Sequence, residues 1–344
     1  MPRLALALAV LTAFAAQAPI QASDTAADVL AAYRIASGGD AWNNKVTLQN
    51  DYAYVGQGLT GSASSLQDLR SGAYVDSYQT GPVSGASGYD GAQTWVREPS
   101  GTVAYQGGGD SLQLAVNESY RDRNLWWHAD RGGAHISAPR HEHVNQHDYE
   151  VLTVTPPGGK PFEAWFDAHI HLLARTVEQQ VTLTMTTDYQ DYADVNGVKL
   201  AHRLVVDDGS GTANRQFYTL RSARFLPARD AAAYAKPKAE LHDYSLADGA
   251  SETTVPFQLI NNHIYASVSI NGSKPLNFIF DTGGHDILTP ATAKLLGITP
   301  VGSQTATGSG NDTAASGLAR PATTKPGRPG AEPPSWRDVI RPRC

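Results

Sequence analysis

Apolar and polar residues alternate with period two along much of this chain, the signature of strands with one buried and one wet face. In "VTLTMTT", Val181, Leu183 and Met185 fall on one face and threonines on the other, predicting a half-buried strand. Turn-forming pairs recur between such runs, at Asp90-Gly91, Gly107-Gly108-Gly109, Pro157-Gly158-Gly159, Asn196-Gly197 and Asp208-Gly209. Their spacing predicts an antiparallel meander. One early segment breaks the pattern: from Asp24 to Ala36, Val29, Leu30 and Tyr33 recur at helical spacing. Ser23 or Asp24 can cap that helix and Gly38-Gly39 can end it.

The pattern changes again near the C-terminus. "HIYASVSI" sets Ile264, Ala266, Val268 and Ile270 on one face, Asn271-Gly272 turns the chain, and "LNFIF" returns as a strand ending at Asp281. Thr289 can cap a short helix over residues 290 to 296, with Pro290 in its first turn and Gly297 past its end. Between the two halves, Leu226 to Thr254 lacks alternation and carries Pro227 and Pro237, which reads as a linker.

The start of the chain is different in kind. Arg3 precedes an apolar run from Leu4 to Ala16 and then small residues, as in a secretory signal peptide with cleavage expected after Ala22. Residues 1–22 are therefore set apart from the fold, and a periplasmic or secreted location is expected. The only cysteine is Cys344, so a disulfide framework is excluded. The net charge of −6, with no basic cluster interleaved with aromatics, excludes a nucleic-acid footprint. High Gly and Tyr content, 32 and 15 residues, fits a mainly β class with few helices.

The pieces "YDGAQTW" (Tyr89 to Trp95), "PFEAWFDAHIHLLART" (Pro161 to Thr176) and "DYADVNGVKLAHRL" (Asp191 to Leu204) resemble the periplasmic lipoprotein-carrier type of curved sheet. That resemblance covers roughly residues 25 to 226. It implies a sheet wrapped around one helix, with a hydrophobic ligand held inside.

The strand, Asp-Thr-Gly and helix at residues 277–298 resemble a second family, the retropepsin-like aspartic proteases, as found in bacterial exported proteins. The resemblance implies a catalytic Asp281, a bracing Thr282 hydroxyl and a Gly283 that lets backbone approach the carboxylate. Two close carboxyls cannot both ionise readily, so one holds a proton while the other activates water. This chain offers one such motif, so the resemblance implies a homodimer that supplies the second Asp281 and a peptide or protein substrate. Gly308 and Gly310 fall where that family has its flap.

The chain also departs from that family. No second apolar-apolar-Gly element follows, and residues 321–344 hold six prolines, four arginines and almost no apolar run. The expected division is a signal peptide at 1–22, an antiparallel β domain at 23–226 and a linker at 227–254. A partial, incomplete retropepsin-like β-barrel at 255–320 and a disordered, aberrant tail at 321–344 follow.

Other candidate chemistry is weaker. His141, His143, His147, His169 and His171 lie close in sequence, but no His-Glu-x-x-His helix is present, and neither metal nor cofactor is expected. Trp126, Trp127 and Tyr120 could line a pocket or anchor the sheet, with core packing favoured. Two functions are carried forward: an exported aspartic endopeptidase impaired by its missing half, and a lipid- or hydrophobe-binding carrier with an inert protease remnant.

Overall fold

The structure, a computed structural model, describes residues 25–81, 83–180, 183–240, 246, 250, 252–281, 287–307, 313–319 and 324–326. The first helix, α1 (Ala26–Ala36), starts where Thr25 Oγ1 accepts from the Asp28 amide at 3.2 Å. Thr25 is the cap rather than the expected Ser23 or Asp24, which lie outside the described residues. The chain leaves α1 through Gly38, whose φ is +122°. A Cβ there would sit 2.5 Å from the Gly197 carbonyl oxygen, so this approach of helix end to hairpin turn requires glycine.

Six strands follow: β1 (Thr47–Gly56), β2 (Leu59–Asp68), β3 (Tyr74–Thr80), β4 (Val83–Tyr89), β5 (Thr94–Arg97) and β6 (Val103–Tyr105). A second helix, α2 (Gly109–Asp122), precedes β7 (His135–Ile136), β8 (Arg140–Val144), β9 (His147–Thr155), β10 (Phe162–Asp167), β11 (Leu173–Gln180), β12 (Leu183–Val195), β13 (Val198–Asp207) and β14 (Gln216–Leu226). These strands form one large curved antiparallel sheet, ordered β6-β5-β4-β3-β2-β1-β14-β13-β12-β11-β10-β9-β7, with β8 on β9. The pairing of β1 with β14, from Thr47↔Leu226 to Gly56↔Gln216, joins two meanders distant in sequence. Leu183 at the start of β12 is exposed, so the expected apolar face of that strand is wet at this end.

Helix α1 packs on one half of this sheet. Val29, Leu30 and Tyr33 meet Trp126, Leu152, Val154, Phe162, Ala164 and Phe166, all nearly or fully buried. Burying each large apolar side chain of this kind stabilises by about 1.5–3 kcal/mol. Tyr33 makes ring contacts with Trp126 at 5.8 Å and Phe166 at 5.0 Å, and Trp126 is 1 % exposed. Trp126 and Tyr120 are thus core, as favoured from the sequence.

Two expectations are corrected. The sheet was expected to wrap one helix, but α2 also covers it, through Ala115 and Val116 against Tyr74 and Tyr89. The glycines at 107–109 lead into that helix rather than into a hairpin. The C-terminal strands were expected to belong to an incomplete β-barrel, and no closed barrel occurs among the described residues. Instead β15 (Phe257–Ile260), β16 (His263–Ile270) and β17 (Leu276–Phe280) form an open sheet. The helix α3 (Pro290–Leu295) and a separate hairpin of β18 (Val301–Thr307) and β19 (Thr313–Leu318) follow, and β20 (Thr324–Pro326) joins β16. The apolar surface that barrel closure would bury stays open: Phe257, Leu259 and Phe280 are each more than half exposed.

Local signals in this part hold. Thr289 caps α3 by accepting from the Thr292 amide at 3.2 Å, and Gly297 follows with φ +65°. Within the stretch read as a linker, Tyr234 is buried and its carbonyl oxygen accepts from Trp95 Nε1 at 2.9 Å. The Ser303 amide donates to the Gln57 carbonyl at 2.6 Å, tying β18 to the turn after β1.

Candidate functional site

The residues singled out from the sequence do not assemble into a described site. Asp281 directly follows β17, as the pattern required, and is exposed. Thr282 and Gly283, and the flap glycines Gly308 and Gly310, lie outside the described residues. Of the histidines, His143 Nδ1 lies 2.6 Å from Asp148 Oδ1 and His169 Nε2 lies 3.9 Å from Asp148 Oδ2, all three well exposed. Among the described residues no group of three or more metal-ligating side chains is arranged to hold an ion.

A different constellation lies between α2 and the middle of the large sheet. Asn50 pairs with Ser65 across β1 and β2, and Ser65 pairs with Asp76 across β2 and β3. Cross-strand partners share a face, so the three form one row. Tyr52 and Tyr54 follow Asn50 on that face of β1, and Tyr74 and Tyr78 flank Asp76 on β3. Tyr74 packs against Ala115 of α2, which identifies this face as the one the helix covers.

Helix α2 adds Glu118, Arg121 and Asp122 from one side, since residues three and four apart are neighbours on a helix. Arg121 Nη1 lies 3.4 Å from Glu178 Oε1 of β11, and Asn117 Nδ2 donates to the same oxygen. Asn117 is fully buried, and its Oδ1 accepts from the Lys160 amide at 3.0 Å. Tyr189 of β12 approaches from the far side, 3.4 Å from Thr176 Oγ1. Tyr218 of β14 stacks edge-on at 5.2 Å from Tyr54 and 6.2 Å from Tyr52.

These groups form one electrostatic neighbourhood. Burial, then the Glu118 charge, pushes the Asp76 carboxyl up to about 8, with the nearby Ser65 hydroxyl opposing. Burial is also the main cause holding Glu118 and Asp122 above the usual carboxylate range, with Arg121 opposing in both. For Arg121, burial works against the charge but is outweighed by Glu178, Tyr189, Glu118 and Asp122, so the guanidinium is held more firmly protonated. Burial raises Tyr52, Tyr74, Tyr189 and Tyr218 as well.

Asp76, Glu118, Asp122, Tyr52, Tyr189 and Tyr218 are nevertheless only half-buried. Groups desolvated by surrounding protein that still touch water belong to a partly open region rather than to a sealed core. Tyrosine rings present an apolar body with a polar tip, and carboxyls supply acceptors, so the lining suits an amphiphile. Two surface clefts lie elsewhere, one of about 300 Å³ beside α3 and one of about 330 Å³ between Arg97-Glu98 and Pro237-Lys238.

Sequence reasoning missed this site because Asp76 reads as an ordinary polar position of an alternating strand. Tyrosines two residues to either side of it were the available signal. Glu118, Arg121 and Asp122 were missed with α2 itself, whose start has no side-chain cap and whose apolar face is narrow.

No family model matches the chain, and no curated protein matches it. Among solved structures, a LolA superfamily protein from Nitrosomonas europaea matches with a TM-score of 0.44 and 14 % identity, over 62 % of this chain and 99 % of that one. A putative outer membrane lipoprotein-sorting protein domain from Vibrio parahaemolyticus matches with a TM-score of 0.39 and 10 % identity, over 59 % of this chain and 93 % of that one. A DUF1329 family protein from Desulfovibrio piger matches with a TM-score of 0.42 and 13 % identity, over 62 % of this chain and 98 % of that one. At these scores no residue role or ligand is carried over.

The reading of the chain as a retropepsin-like aspartic protease is corrected: no family or curated protease matches it, and these solved structures are of a different kind. The hydrolase assignment goes with that reading, and nothing supports a peptide substrate or a homodimer. The roles written for Asp281, Thr282 and Gly283 rested on that resemblance and are not carried further.

Proposed function

We propose that this chain is an exported binding protein that carries a lipid or other hydrophobe, with its ligand held between α2 and the middle of the large sheet. One observation carries the reading: groups from α2, β1, β3, β12 and β14 are desolvated by one another yet keep contact with water. The half of the sheet under α1 is filled by its own side chains, with Leu152, Val154 and Ala164 at 0 % exposure, and leaves a ligand no room. Tyr120 anchors the end of α2 in the same core, but the rest of the helix makes a small apolar contact, through Ala115 and Val116 against Tyr74 and Tyr89. A thin apolar seam costs little to open.

Export is supported by residues 1–22, whose charged start, apolar run and small residues match a cleaved leader. In this reading residues 23–226 are the binding unit, 227–254 a connector, and 255–320 a second small unit without an assigned activity.

The test is titration of the full chain with N-phenyl-1-naphthylamine, whose fluorescence rises in apolar surroundings. Saturable binding is expected. Ala63 lies between Tyr52 and Tyr78 in the strand register, so Ala63→Phe fills the recess. It should weaken binding by about ten-fold, the worth of about 1.4 kcal/mol of lost contact. Absence of saturable binding, or equal affinity in a variant that melts normally, would overturn the proposal.

A further inference from the structure

Carboxyl groups outnumber cations beneath α2. Asp76, Glu118, Asp122 and Glu178 converge there, and Arg121 is already engaged by Glu178. For Asp76, Glu118 and Asp122 there is a bland explanation, that burial keeps them protonated. A second observation points to a ligand. Asn50 is 7 % exposed and its Oδ1 has no hydrogen-bond partner among the described residues, although it stands in the same row as Ser65 and Asp76. Asp122 Oδ2 is likewise buried without a hydrogen-bond partner among them. Buried acceptors left unpaired are costly, and what satisfies an acceptor is a donor.

From this row we infer that the recess takes the primary ammonium head of an amphiphile, with N–H groups donated to Asn50 Oδ1, Asp122 and Asp76 and the chain lying against the tyrosines. The inference rests on the proposed binding function and names the head group of its ligand. A primary ammonium supplies three donors together with a positive charge, which a carboxyl of the row balances once it gives up its proton. The faces of Tyr52 and Tyr218 favour a cation near them, and their rings favour an adjoining apolar chain. A divalent metal fits less well, because no described set of carboxyls is arranged as an ion's ligands. A quaternary ammonium would satisfy the charge but leave Asn50 Oδ1 unpaired.

The experiment is displacement of bound N-phenyl-1-naphthylamine from the full chain at neutral pH. The competitors are dodecylamine, dodecyltrimethylammonium, dodecanol and dodecyl sulfate, all below their micellar range, and calcium chloride. Dodecylamine should displace the dye at a concentration about ten-fold or more below that of dodecanol, since one charge-assisted hydrogen bond contributes about 1.5–3 kcal/mol. The trimethylammonium probe should fall between them and dodecyl sulfate should be weakest. In Asp76→Asn and in Asn50→Ala the advantage of dodecylamine over dodecanol, each displacement referred to that variant's own dye affinity, should shrink several-fold. Equal potency of dodecylamine and dodecanol would overturn the head-group assignment and leave the binding function standing. So would an undiminished preference in both variants, a trimethylammonium probe as potent as the primary amine, or displacement by calcium alone. If the dye never binds, the binding function itself fails and takes this inference with it.

Discussion

Replacing Asp76 with asparagine should stabilise the protein, and only above the acid range. The carboxyl is raised from 3.8 to about 8, by burial first and by the neighbouring Glu118 charge second. A raised carboxyl binds its proton more tightly in the folded chain, so its favourable contribution is fully present below pH 4. It is lost as pH rises from about 4 to about 8, because over that range the unfolded chain ionises freely and the folded one resists. Every tenfold gain in proton affinity on folding corresponds to about 1.4 kcal/mol, which sets a ceiling of about 4 kcal/mol at pH 7. Asp76 keeps contact with water and shares its repulsion with Glu118, so screening brings the expected effect to about 2 kcal/mol. Asparagine keeps the shape and the contact with Ser65 while removing the charge. Urea unfolding followed by tryptophan fluorescence, at pH 4 and pH 7.5, should show wild type and variant alike at the lower pH. At the higher pH the variant should be more stable by about 2 kcal/mol, or about 4–8 °C in Tm for a chain of this size. A variant no more stable at pH 7.5, or one equally stabilised at both pH values, would show that Asp76 is not a desolvated carboxyl in the fold.

Three other outcomes follow from the packing. Leu152→Ala removes a side chain at 0 % exposure from the α1 core and should cost about 2–5 kcal/mol in the same urea assay. Arg121→Met leaves Glu178 and Glu118 uncompensated beneath α2 and should destabilise by about 3–5 kcal/mol near neutral pH, a loss that acidification should reduce. A fragment of residues 23–235, which keeps the Tyr234 contact with Trp95, should unfold in one cooperative transition by calorimetry, whereas ending it at residue 226 should lower its Tm.

What the sequence determined by itself was local. The cap of α3, the Asn196-Gly197 and Asn271-Gly272 turns and the strand that ends at Asp281 depend on residues within a few positions of each other, and short-range sterics and hydrogen bonding settle them. The mainly antiparallel β character was legible for the same reason, since alternation and turn chemistry repeat along the chain. The Asp-Thr-Gly triplet shows the limit of such reading: its strand and helix formed as the pattern required, while the family assignment built on them was overturned. Three residues specify a turn far more readily than an activity.

Only the tertiary structure decided what the middle of the sheet carries. Asn50, Ser65 and Asp76 are scattered polar positions until β1, β2 and β3 pair and set them in one row. The same holds for β14, far from β1 in sequence, whose pairing brings Tyr218 against Tyr52 and Tyr54. Helix α2 has too narrow an apolar face to announce itself, because the surface it covers is itself polar and rich in tyrosine. Its carboxyls acquire their raised proton affinity from neighbours on other elements, and desolvation by distant segments is a property that no local window of sequence contains.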